Sequence, residues 1–96
     1  MLTHLVFIKL KDATDKNKTA VVEKLLTMNG KIPELRALEA GADIIGSERS
    51  YDVALITRFD SLADMEAYQV HPYHQTEILP YLRSVMSDAK AVDFES

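Results

Sequence analysis

Two short segments restrict the possible folds more than anything else in the chain. THLVFIKL, Thr3 to Leu10, and YDVALITRF, Tyr51 to Phe59, are rich in large and β-branched apolar residues, sit between polar stretches and are too short for stable helices. Side chains alternate across a strand. The first segment therefore sends His4, Val6, Ile8 and Leu10 to one side and Leu5 and Phe7 to the other. The second sends Val53 and Leu55 one way and Ala54 and Ile56 the other. Both sides of both strands are apolar, so each strand is expected in the middle of a sheet that is covered twice.

The rest of the chain supplies material for only one cover. From a Thr14 N-cap, Val21, Val22, Leu25, Leu26 and Met28 recur at three- and four-residue steps, which predicts an amphipathic helix ending near Gly30. A weaker strand is expected from about Arg36 to Ile45, with Gly41 as a candidate bulge and with enough charge to suit a sheet edge. Ser61 caps the next helix with Asp64 in the capping-box position, and Leu62, Met65 and Tyr68 share one side of it. Pro72 forces His71 out of helical geometry and opens a further helix, whose stripe is His74, Ile78, Leu82 and Val85. Pro80 predicts a kink or a break within that helix. Asp88 to Glu95 alternates Val92 and Phe94 against Asp93 and Glu95, as a final strand.

The order strand, helix, strand, strand, helical segment, strand matches the split βαβ plan. The expected fold is α+β and ferredoxin-like, a four-stranded antiparallel sheet with its helices on one face, as a single domain over residues 1–96. Its first and third strands are central, which is where the two most apolar segments belong. The second sheet face then lies bare unless loops or the last strand fold over it, and monomers avoid exposing such a patch. A homodimer packed sheet to sheet is the expected solution.

Composition narrows the partners. Fifteen acidic against eleven basic residues give a formal charge of −4, with the lysines dispersed, so nucleic acid is not an expected partner. There is no cysteine, which removes disulfides, thiolate nucleophiles and cysteine metal sites. His4 and Lys9 interrupt the apolar N-terminus, which reads as a strand rather than a signal peptide, and no run approaches the roughly 20 apolar residues of a membrane span. A cytoplasmic protein is expected, with no membrane partner.

Chemistry concentrates in YQVHPYHQ, Tyr68 to Gln75, which holds two of the three histidines. The stripe places His74 on the inner side of its helix, and Tyr68 faces inward from the preceding one. His71 and His74 flank Pro72 with no carboxylate at a matching offset, so no metal site is expected. GADIIGS lacks the glycine pattern of a phosphate loop, so no nucleotide or other cofactor is expected. Asp12, Asp15, Asp60, Asp64 and Glu66 lie near helix starts, where they favour the dipole without any catalytic role.

HLVFIKLKD at the start, YDVALITRFDS in the middle, AYQVHPYH after it and VDFE at the end together resemble the stress-responsive A/B barrel (Dabb) family over almost the whole length. The resemblance implies a ferredoxin-like subunit that dimerises into an α/β barrel through its open sheet faces. A plant polyketide cyclase related to that family, olivetolic acid cyclase, closes a ring by aldol condensation between sheet and helices. It uses a histidine as base and a tyrosine to hold the substrate. By resemblance those roles fall on His74 and Tyr68, and a further pocket histidine matches His4. Another pocket histidine of that enzyme is replaced here by Val53.

The implied pocket is lined by His4, Val6, Ile8, Val53, Leu55 and Ile78. Two readings stand side by side. One is a stress-associated binding module for a small apolar, aromatic or keto ligand. The other is a cyclase- or isomerase-like enzyme, with His74 as general base and Tyr68 orienting the substrate.

Overall fold

A computed structural model describes all 96 residues. The elements run β1 (Leu2–Leu10), α1 (Asp15–Leu26), β2 (Ala37–Ala42), β3 (Val53–Phe59), α2 (Leu62–Val70), a π-helical turn (His74–Ile78), α3 (Leu79–Val85) and β4 (Met86–Glu95). The sheet has four strands in the order β2-β3-β1-β4, and every neighbouring pair is antiparallel. The two doubly apolar strands are thus the central pair, and the fold is the ferredoxin-like one expected.

Local chemistry starts the helices where the sequence suggests. The Thr14 hydroxyl accepts the Asn17 N–H at 3.1 Å, and the Ser61 hydroxyl accepts the Asp64 N–H at 3.2 Å. Each side chain satisfies one of the amides that a helix start leaves without an internal partner. Gly30, in the left-handed region at φ 76°, ends the turns that follow α1. On α1 the buried stripe is Val21 and Leu25, continued by Met28 just beyond the helix, while Leu26 is exposed. On α2, Met65 and Tyr68 are buried and Leu62, at the first helical position, is exposed.

β2 stops at Ala42, three residues before the expected end at Ile45. The Asp43 N–H still donates to the Asp52 carbonyl, but the Asp43 carboxylate then accepts the Gly46 N–H at 2.7 Å and closes a turn. Pairing through Gly41 and Ala54 is regular, so Gly41 is not a bulge. The irregularity lies across the sheet, between Lys9 and Leu10 on the β4 side. There the Leu10 N–H donates to the Asp52 carboxylate at 2.7 Å, and α3 passes into β4 without a loop.

His71 has extended geometry at ψ 139°, as a residue before proline should. The conflict at Pro80 is resolved without a break. The five residues from His74 widen into a π turn, in which the Leu79 N–H reaches back to the His74 carbonyl, and Pro80 then sits in the first turn of α3. A proline ring in an α-helix collides with the carbonyl four residues earlier, here that of Thr76, and the wider turn relieves that collision.

Pairing Leu2 with Phe59, His4 with Thr57, Val6 with Leu55 and Ile8 with Val53 puts these side chains on the helix-covered face. They join α1, α2 and α3 residues in one buried cluster containing Ile8, Leu25, Phe59, Tyr68 and Ile78. The opposite face carries Leu5, Phe7 and Ile56, each only half-buried, next to Val92 and Phe94, which are 51% and 45% exposed. No helix covers it.

Candidate functional site

Between the β1–β4 side of the sheet and the α2–π–α3 segment lies a cavity of about 290 Å³. Its lining includes Val6, Ile8, Leu55, Ile78 and Leu82, with His4, Tyr68 and His74 among them. The strand alternation delivers His4, Val6, Ile8 and Leu55 to this side, and the helical stripe delivers His74, Ile78 and Leu82. Val53 is the exception among the residues expected to line it. It is 1% exposed in the core on the same sheet face, directly across the ladder from Ile8 on the β3 side, and is not part of the lining.

His74 is half-buried, and its Nδ1 lies 3.0 Å from the Gln69 carbonyl oxygen. A carbonyl can only accept, so Nδ1 carries the proton and Nε2 keeps its lone pair in the neutral ring. Burial pushes the His74 imidazole below its ordinary 6.5, with the charges of His4 and His71 acting the same way and the Gln69 carbonyl opposing them. The ring is therefore neutral at pH 7 and chemically a base. Its plane is tilted against the Tyr68 ring at a centroid distance of 4.7 Å.

His4, 7% exposed, is held by a residue that alternation alone did not single out: its Nδ1–H donates to the Asp93 carboxylate. The carboxylate fixes the tautomer and orientation of the ring. The pair exists because β1 and β4 align His4 with Asp93 directly across the ladder. A sequence signal was present, since Asp93 alternates against Val92 and Phe94, but using it requires the register.

Tyr68 is buried, and burial alone pushes its hydroxyl well above the ordinary phenol range, so it stays protonated. That hydroxyl donates to the Met28 sulfur at 3.5 Å, a weak acceptor, while the ring packs 5.0 Å from Phe59 and 6.4 Å from His4. The phenol ring forms part of the cavity's lining, and its polar end is directed at Met28, just beyond α1. His71 is outside the lining: its Nδ1 accepts the Tyr73 N–H at 3.1 Å and caps the turn that carries His74.

A larger, open hollow of about 610 Å³ lies around Phe7, Gly41, Tyr51, Ala54 and Lys90, on and beside the uncovered sheet face. It contains no histidine. At its rim the Tyr51 hydroxyl donates to Asp88 at 2.6 Å, which holds that phenol above and that carboxyl below their usual ranges. The larger space therefore lies apart from the imidazole chemistry.

No curated protein matches the chain. Among solved structures, a dimeric ferredoxin-like protein of unknown function from Bacteroides fragilis is 28% identical, with a TM-score of 0.83, over 99% of this chain and 95% of that one. Another from Thermobifida fusca is 27% identical, with a TM-score of 0.83, over 99% and 90%. A hydroxynitrile lyase from Passiflora edulis shares the fold, with a TM-score of 0.75, at 16% identity over 97% and 90%. The family described as the Stress responsive A/B Barrel Domain matches residues 2–96, and with its sheet order and helix-covered face the chain belongs to that family.

Proposed function

We propose that the chain works as a cytoplasmic homodimer, joined through the bare sheet face, that binds a small, largely apolar carbonyl compound in the His74 cavity. One observation carries the ligand reading. An apolar cavity of about 290 Å³ is bordered by an imidazole whose Nδ1 proton is committed to a backbone carbonyl and whose Nε2 has no partner in the chain. Pockets that hold small molecules combine apolar walls with a few placed polar groups, and the volume is at the lower end of their range. Residues Leu5, Phe7, Ile56, Val92 and Phe94 support the dimer reading, because a second copy is the simplest cover for an apolar face that no element of this chain reaches.

Binding is the function this arrangement supports best. A second, catalytic reading is favoured by the state of His74. Neutral at pH 7 and open at Nε2, it is equipped to take a proton from a carbon next to a carbonyl. Tyr68, kept protonated by burial, packs its ring 4.7 Å from that imidazole, and steadying an enolate would require the phenol to leave the Met28 sulfur and swing into the cavity.

Crystals soaked with a mixture of small β-keto and aromatic acids test the first reading: density beside His74 is the expected result, and a cavity still empty at millimolar ligand refutes it. For the second, His74→Ala should abolish turnover of any substrate found while the dimer persists. Undiminished turnover removes His74 from the mechanism.

A further inference from the structure

The cavity reading leaves the charge of the ligand undetermined, and the lining carries information about it. The polar residues around the cavity are His4, Gln69, His74 and Arg83, and no carboxylate is among them. Both imidazoles have committed their Nδ1 protons, His4 to Asp93 and His74 to the Gln69 carbonyl. Arg83, in the last turn of α3, is exposed and takes part in none of the chain's ion pairs. Arg36, by contrast, is held by Asp60 at 3.0 Å.

A guanidinium is charged at every accessible pH and presents a planar fork of donors that matches a carboxylate. Arg83 is the one lining residue with a permanent charge, and no carboxylate in the lining compensates it. We propose that Arg83 binds a carboxylate at the rim, so that the ligand is a small organic acid with its apolar body inside, near His74, and its anionic group at the mouth. This inference rests on the cavity reading and adds the chemical class. The last turn of a helix also favours a cation through the dipole, an effect on helix stability that confers no preference among ligands.

The test uses phenylacetate and its neutral analogue phenylacetamide, titrated by ligand-observed NMR against the wild-type protein, Arg83→Gln and Arg83→Lys. Wild type should prefer the acid by about tenfold, with the preference shrinking as salt is raised because the rim is exposed. Arg83→Gln should bring the acid down to the level of the amide without moving the amide, and Arg83→Lys should restore part of the difference. Equal binding of the two probes to wild type, or a preference that survives Arg83→Gln, overturns the proposal and leaves the cavity reading standing. Binding of neither probe overturns both together.

Discussion

A histidine whose neutral form is favoured by folding makes stability depend on pH in a definite direction. Burial lowers the His74 imidazole below its ordinary 6.5, so as the solution is acidified the unfolded chain takes up a proton before the folded one does. The stabilising contribution is complete above 6.5 and is lost as pH falls from there toward the depressed folded value. Urea midpoints measured from pH 8 to 5 should therefore decline below about 6.5, and His74→Gln should flatten the decline. A second prediction at this scale concerns Asp93. Removing the acceptor of a buried donor costs about 1–3 kcal/mol, and because Asp93 is 40% exposed, water can partly replace it. Asp93→Ala should cost about 1 kcal/mol in urea unfolding and Asp93→Asn, which keeps an acceptor, less. Asp93→Ala unfolding like wild type would show that the pairing with His4 adds nothing to stability.

Among the elements, the segment after Pro72 shows a feature that spacing does not convey. In a continuous α-helix each four-residue step over-rotates by about 40°, so His74 and Leu82 would drift about 80° apart on the surface. The wider π turn takes back part of that drift and keeps His74 on the cavity side with Ile78 and Leu82. Pro80 enforces the wide turn, because its ring excludes the α geometry over Thr76. Pro80→Ala permits an ordinary helix, and the expected result is weaker binding of cavity ligands with equal or greater thermal stability. Unchanged binding would assign the π turn to packing instead of proline. The caps behave more simply: Ser61→Ala should cost about 1 kcal/mol in the same unfolding experiment, because the Asp64 amide then loses its acceptor.

For the whole molecule the governing feature is a sheet that its own helices cover once. Ile56→Asp places a charge among Leu5, Phe7 and Val92, and should halve the mass measured by size-exclusion chromatography with light scattering while leaving the circular dichroism intact. A wild-type protein already eluting at monomer mass would remove the dimer from the account. By itself the sequence determined the element order, the central placement of β1 and β3, the capped helix starts and the inward side of His4, Val6, Ile8, Leu55, Tyr68 and His74. All of these follow from short-range periodicity and steric rules that act within a few residues. Only the tertiary structure decided that Val53 falls outside the cavity, that Asp93 holds His4, that Arg83 stands at the rim and that a π turn aims His74. The first three depend on how segments distant in the chain pair and pack; the fourth depends on which response to Pro80, a kink, a break or a wider turn, the folded chain adopts.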